Sequence, residues 1–208
     1  MTNKERYGKL RGIFDKEYGD PECALTHDSP FGLLVAVQLS AQCTDARVNI
    51  VTPSLFKKFP DVKAFAEADL KELEAAIHSI GFYHNKAKNL KGCAAMLLSE
   101  YGGEVPSSME ELLRLPGVGR KTANLIRGDI FGLGGVVVDT HVGRIARRMG
   151  FTKNTDPVKA ERDLEKIIPT ENQTRFCHQT VLHGRKYCTA RKPLCGQCPA
   201  AEICPKKI

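Results

Sequence analysis

Lys121 is a single amine at the mouth of a glycine-rich corner, and Asp139 is a carboxylate eighteen residues further on. The corner reads Leu115-Pro-Gly-Val-Gly-Arg-Lys-Thr-Ala123. Pro116 stops a helix, and Gly117 and Gly119 supply backbone angles that other residues reach only with strain. Lys121-Thr-Ala-Asn-Leu-Ile-Arg127 reads as a second helix, so the stretch predicts a helix–hairpin–helix. Two glycines at a helix N-terminus leave N–H groups pointing outward beside the positive end of the helix dipole, which suits a phosphate oxygen. Arg120 flanks that site. The same residues would also serve a plain αα corner, since short motifs match by chance.

A neutral amine is the nucleophile that forms Schiff bases with masked aldehydes, and the C1′ carbon of a deoxyribose is one. A carboxylate such as Asp139 can stabilise positive charge developing on such a sugar or assist proton transfer. It can equally be the N-cap of the helix expected from Thr140 to Met149.

Cys188, Cys195, Cys198 and Cys204 follow the pattern Cys-x6-Cys-x2-Cys-x5-Cys. Four thiols in seventeen residues, with Pro193, Gly196 and Pro199 among them, do not make an ordinary core and predict a metal site. Spacing alone accepts zinc or an iron–sulfur cluster. Cys23, Cys43, Cys93 and Cys177 fall outside the pattern and are expected to be buried thiols.

The charge is lopsided. Residues 1–132 hold 17 of the 31 Lys/Arg and 17 of the 24 Asp/Glu, so residues 133–208 account for all of the +7. A basic half favours a polyanion, most simply nucleic acid. No run reaches the eighteen or so apolar residues of a membrane span. Met1-Thr-Asn-Lys-Glu-Arg6 opens no apolar h-region, so a cytosolic chain with reduced cysteines is expected.

The elements that must position these residues read as helices throughout. Lys4–Tyr18 is amphipathic, and Pro30–Ser40 is almost wholly apolar and expected to be buried. Thr44 or Asp45 caps a helix running to Phe59, then short helices cover 61–68 and 69–77, and a longer one covers 86–101. Gly81–Asn85 is expected as a loop. Ser107 is expected as the N-cap of the hairpin's first helix, with Glu110 as capping-box partner. Further helices are expected over 140–149, 156–168 and 170–187, with no strand pair. From the residues alone, Phe82 reads as core and Gln42 as a polar helix end.

The stretches 115–123 and Val138-Asp-Thr-His-Val142 together resemble the helix–hairpin–helix-GPD DNA glycosylases, and within them the bacterial endonuclease III family. The resemblance covers residues 5–204. It implies that Lys121 is the Schiff-base lysine and Asp139 the catalytic aspartate. Leu39-Ser-Ala-Gln-Cys-Thr-Asp45 is similar to the family's loop whose glutamine fills the hole left by a flipped base, which implies that role for Gln42. Gly81-Phe-Tyr-His-Asn85 is similar to the loop that wedges an apolar side chain into the opposite strand, which implies it for Phe82. DNA contacts are implied for Gly117, Val118, Gly119, Arg120, Thr140, His141, Arg144, Arg191 and Lys192. The cysteine spacing is that family's 4Fe–4S motif.

The resulting expectation is an all-α protein of two helical lobes: a helical bundle over 22–132, ending in the hairpin, and residues 1–21 plus 133–208 carrying the cluster. Lys121 and Asp139 are expected to face one cleft. The implied activity is removal of oxidised pyrimidines from double-stranded DNA through a lysine Schiff base, with strand cutting 3′ to the abasic site by β-elimination. A monomer acting in the bacterial cytoplasm at the nucleoid, without a membrane, is implied. The alternatives are a monofunctional glycosylase for mismatched or alkylated bases, and a non-catalytic DNA-binding module with a four-cysteine zinc site.

Overall fold

The computed structural model describes residues 1–206, so Lys207 and Ile208, the end of the expected cluster lobe, lie outside the described residues. These fold into eleven α-helices: α1 (Asn3–Tyr18), α2 (Pro30–Ser40), α3 (Asp45–Lys58), α4 (Val62–Glu67), α5 (Leu70–Ala76), α6 (Tyr83–Tyr101), α7 (Met109–Arg114), α8 (Arg120–Asp129), α9 (Thr140–Arg148), α10 (Pro157–Glu165) and α11 (Thr170–Lys186). No strand occurs among the described residues. None of their helices is long and apolar enough to cross a membrane. The chain forms two compact units, one of Met1–Glu22 with Phe131–Ile208, the other of Cys23–Ile130.

The second unit is built around α2. Ser29 caps it, its hydroxyl accepting from the Gly32 N–H at 3.0 Å, and Pro30 supplies a preset first turn. Leu33, Leu34, Val35, Ala36 and Leu39 are buried on all sides, because α3, α6 and α8 pack around this helix. Each such leucine contributes about 1.5–3 kcal/mol by leaving water. At the start of α2 Phe65 gathers Phe31 and Phe59, at ring distances of 5.3 and 5.6 Å. A Leu34→Ala change would remove about 2–5 kcal/mol by opening a cavity in a fully enclosed site.

The first unit joins both ends of the chain. Thr2 and Glu5 form a reciprocal capping box that starts α1, and Tyr7, Leu10 and Phe14 line its buried face. That face meets α11, where Phe176 lies 6.0 Å from Tyr7 and 6.5 Å from Phe14. α11 also packs on α9. The approach is close at Gly184, where a Cβ would fall 2.7 Å from His141 Cδ2, so any larger residue would push the two helices apart.

Several local expectations shift. Ser108, not Ser107, caps α7: its hydroxyl accepts from the Glu111 N–H at 3.2 Å and donates to the Glu111 carboxylate at 2.7 Å. The serines are adjacent and each has a glutamate three residues on, so the cap forms one position later than expected, between Ser108 and Glu111. α6 begins at Tyr83, inside the expected loop, because Phe82 turns the chain through a left-handed residue into the helix. α10 stops at Glu165 rather than Ile168. Cys93 and Cys177 are buried, whereas Cys23 and Cys43 are only half-buried, because both lie in connecting segments outside the helices.

Candidate functional site

In the unit of residues 23–130, the corner between α7 and α8 is set by Gly117, at φ +78°. A Cβ there would collide with Gln38 Oε1 and lie 2.8 Å from Asn89 Cβ, so α2 and α6 together floor the corner. The Val118 N–H donates to the Leu115 carbonyl at 3.1 Å, and the Val118 side chain is buried beneath the turn. Gly117 and Gly119 are both exposed, and Pro116 is half-buried. Gly119 is the N-cap of α8 and has no side chain to fill the first turn, so the helix start presents bare N–H groups at its positive end. Arg120 is half-buried and Lys121 is exposed on that first turn. The arrangement fits an oxyanion such as a phosphate, with an amine beside it.

Two further loops open from the same unit. Gln42 follows the end of α2 at φ 55°, and Phe82 precedes α6 at φ 60°. Both are non-glycine residues in the left-handed region, which costs about 1–2 kcal/mol each. Strain of this kind persists where surrounding structure over-determines it, commonly at functional sites. Both side chains are exposed, Phe82 at 64%, so Phe82 is not core. A large apolar ring held out in water by a strained backbone has no packing purpose within the unit.

In the unit holding both termini, Asp139 caps α9. Its Oδ1 accepts from the His141 and Val142 N–H groups at 2.9 and 2.7 Å, and its Oδ2 lies 3.1 Å from His141 Nδ1. The cap reading therefore holds, yet the side chain stays 33% exposed. Three hydrogen bonds fix the direction of the carboxylate without enclosing it. Thr140 is exposed on the first turn of α9.

The cysteine loop is fastened by arginines. The Arg148 guanidinium donates to the Thr189 and Ala190 carbonyls at 2.8 and 2.9 Å and to Cys188 Sγ at 3.3 Å. Arg144 donates to the carbonyls of Cys188 at 3.1 Å and Thr140 at 3.2 Å, with Gly184 at 3.4 Å. Arg144 thus ties α9 to the end of α11 and to the first residue of the loop. Arg191 and Lys192 are exposed at the loop's outer edge.

Cys188, Cys195, Cys198 and Cys204 line one concave space of about 450 Å³, part of it open to solvent, walled also by Ile145, Met149 and Tyr187. No three His, Cys, Asp or Glu side chains among the described residues are disposed to hold a single metal ion. Burial raises the Cys198 and Cys204 thiols, and the neighbouring cysteines raise them further. Four cysteine sulfurs around a common space, none of them grouped tightly enough for one metal ion, suit a polynuclear cationic group. His183 Nε2 lies 3.6 Å from Cys198 Sγ, and its Nδ1 lies 2.8 Å from the Tyr18 hydroxyl. Burial pushes the His183 imidazole down to about 4, so it is neutral.

The structure brings Gln42, Phe82, Gly117, Val118, Gly119, Arg120 and Lys121 into one unit, and Asp139, Thr140, His141, Arg144, Arg191, Lys192 and the four cysteines into the other. Sequence reasoning missed Arg148, Tyr18, His183 and Lys86. Arg148 had a signal, lying four residues after Arg144 on one helix face. The Lys86 ammonium is buried, donating to the Leu39 carbonyl at 2.8 Å and the Ala41 carbonyl at 2.6 Å. In the sequence it sits near Lys88 and Lys91 and nothing marks it.

Residues 35–170 match the HhH-GPD superfamily base excision DNA repair protein family. Endonuclease III of Synechocystis sp. is 51% identical over 205 residues, covering 98% of this chain and 94% of that protein. Endonuclease III of Escherichia coli K12 is 40% identical, covering 90% of this chain and 89% of that protein. Among solved structures, a non-covalent endonuclease III–DNA complex and a trapped endonuclease III–DNA covalent intermediate each superpose with a TM-score of 0.92 at 43% identity, covering 99% of this chain and 97% of theirs. A thermostable thymine-DNA glycosylase, 23% identical at a TM-score of 0.87, shares the fold. The strained loops, the bare helix start and the arginine-fastened cysteines thus have the same address: the chain belongs to the endonuclease III family of the HhH-GPD base excision DNA repair superfamily.

Proposed function

We propose that this protein is a bifunctional base-excision DNA glycosylase and abasic-site lyase, acting on double-stranded DNA that carries an oxidised pyrimidine or an abasic site. The observation that carries this is Lys121, an exposed amine on the first turn of α8 directly after a helix start that no side chain caps. The trapped covalent intermediate of a 43% identical endonuclease III supports a covalent route.

The backbone N–H groups around Gly117–Gly119 and the Arg120 side chain receive phosphate, and Thr140, His141, Arg191 and Lys192 add contacts on the other unit. Arg144 acts at one remove, by holding the loop. The damaged nucleotide leaves the stack, which its weakened stacking makes cheaper. Gln42 fills the vacated space, and Phe82 wedges between bases of the opposite strand, as apolar side chains do at unstacked steps. The Lys121 amine attacks C1′: a C–N bond forms, the base departs with the bonding pair and takes up a proton, and the opened sugar is held as an imine. Loss of a C2′ proton then expels the 3′ phosphate, and water hydrolyses the imine to free the Lys121 amine. Asp139 balances the positive charge that develops on the sugar.

Cys188, Cys195, Cys198 and Cys204 would hold a 4Fe–4S cluster, which when bound cross-links the loop that displays Arg191 and Lys192. The enzyme works as a monomer in the bacterial cytoplasm, on nucleoid DNA. Borohydride trapping on a duplex with one thymine glycol tests the reading. A covalent adduct that disappears in Lys121→Ala is expected. Base release without any adduct would make the enzyme monofunctional. DNA binding with neither would reduce it to a binding module. The purified protein should be yellow-brown; a colourless protein with one zinc per chain would sink the cluster assignment.

A further inference from the structure

Three loops of one unit carry the proposed DNA contacts, and all three rest on the facing pair α2 and α6. The corner at Gly117 is floored by Gln38 of α2 and Asn89 of α6. The Gln42 loop leaves the end of α2, and Phe82 begins α6. The loops run side by side, since a Cβ on Gly81 would lie 4.0 Å from the Gln42 carbonyl oxygen.

We infer that Lys86 is a positioning residue that sets the Gln42 and Phe82 loops in register with each other, by joining the last carbonyls of α2 to the first turn of α6. This rests on the proposed roles of Gln42 and Phe82. The Lys86 N–H donates to the Phe82 carbonyl at 3.1 Å, closing the turn that the left-handed Phe82 opens. The Lys86 ammonium donates to the carbonyls of Leu39 and Ala41, immediately before Gln42. One residue thus holds Phe82 by its main chain and the Gln42 loop by its side chain.

The C-terminal carbonyls of a helix lack intrahelical partners, and a cation there also meets the negative end of the helix dipole. At this helix end Lys86 supplies both. Its residue is only 7% exposed, and both of these acceptors are neutral carbonyls. Burial lowers its ammonium below the usual lysine range. A buried ammonium held by neutral carbonyls is a poor way to gain stability, since an apolar side chain of the same volume usually serves as well. What methionine would not supply is two directed donors that fix the Leu39–Ala41 carbonyls, and through them the left-handed turn at Gln42.

The test uses the full-length holoenzyme and Lys86→Met, which keeps length and apolar volume but has no donor. The probe is a duplex with a tetrahydrofuran abasic analogue beside a 2-aminopurine, whose fluorescence reports unstacking. Single-turnover excision is followed on a thymine glycol duplex. Lys86→Met is expected to blunt the fluorescence rise at saturating protein and to slow excision about tenfold or more, the loss of one or two charge-assisted hydrogen bonds. Affinity for undamaged duplex should stay within about twofold, because phosphate contacts dominate it. The losses from Lys86→Met and Gln42→Ala should combine to less than their product, since both act at one loop.

Wild-type fluorescence and excision in Lys86→Met would overturn the inference, as would fully multiplicative losses in the double variant. If Gln42→Ala and Phe82→Ala are themselves silent, the reading of the loops fails and takes the inference with it. If Lys86→Met does not fold at the assay temperature, Lys86→Gln keeps a shorter donor and should show the same losses at smaller size; a folded Lys86→Gln with wild-type fluorescence and excision would also overturn it.

Discussion

Replacing Asp139 by asparagine separates two duties of one carboxylate. As a cap, Oδ1 accepts from His141 and Val142 at 2.9 and 2.7 Å. An asparagine amide oxygen can accept both, and asparagine caps helices about as well as aspartate. What is lost is the Oδ2 contact to the half-buried His141 Nδ1 and the negative charge at the start of α9, the charge being worth about 0.3–1 kcal/mol. For a chain of this length that lowers Tm by roughly 1–4 °C. A protein stable by about 5–15 kcal/mol remains almost wholly folded after such a change. The chemical duty scales differently. Removing a preorganised group that stabilises transition-state charge typically costs about a hundred- to thousandfold in rate. Asp139→Asn should therefore bind DNA normally, melt within a few degrees of wild type, and excise about a hundredfold more slowly in single turnover. Asp139→Ala loses the cap as well, at about 0.5–2 kcal/mol, and should melt lower at the same reduced rate. Turnover of Asp139→Asn within threefold of wild type, or turnover that tracks Tm across both variants, would refute the reasoning and leave Asp139 a helix cap alone.

Gly117→Ala adds a methyl group against Gln38 and Asn89 at positive φ, and the strain and overpacking together should lower stability by about 2–4 kcal/mol. DNA affinity by fluorescence anisotropy should fall with it, and unchanged melting would show that the corner yields without strain. Thr152 and Asn154 donate to Asp163 at 2.6 and 2.7 Å, and the Thr152 hydrogen bond above all holds its carboxyl below the usual range. A lowered carboxyl stabilises the fold above its unfolded-state pKa, near 4, and that contribution is lost as pH falls through the folded value. Asp163→Asn should melt lower than wild type at pH 7 and lose less between pH 5 and pH 3; equal slopes would contradict this. Burial pushes the Cys93 thiol up to about 11, so at pH 8 about a thousandth of it is thiolate. Mass spectrometry after native iodoacetamide treatment should find Cys93 unmodified, and rapid modification would mean that α6 opens.

What could be read from the residues was what local chemistry determines. Pro116, Gly117 and Gly119 sit within four positions and dictate a corner by themselves, and a four-cysteine spacing needs no tertiary knowledge. The helix count and the apolar α2 follow from periodicity. Phe82 misled because apolar residues are usually core; its exposure follows from a backbone turn that no pattern announces. Ser107 and Ser108 are one position apart, inside the uncertainty of any cap assignment. Arg144 and Arg148 look like phosphate ligands in a basic segment, yet their guanidiniums point to carbonyls 40–44 residues away. Tyr18 and His183 meet across 165 residues. Lys86 is the extreme case: its charge marks it as surface, and only the α2 carbonyls in space explain its burial.

The unit that holds the cysteine loop begins with α1 and resumes only at Phe131, so synthesis interrupts it with a whole compact unit. As the chain leaves the ribosome, Tyr7, Leu10 and Phe14 emerge first, but Phe176 and His183, which cover them, come more than 150 residues later. At about 5–20 residues per second the apolar face of α1 waits roughly ten seconds or more for its partner. Folding of residues 23–130 in that interval would replace a long flexible loop by a compact body and shorten the search that joins α1 to α11. Until α11 is made, the buried face of α1 lacks the partners it has in the finished fold.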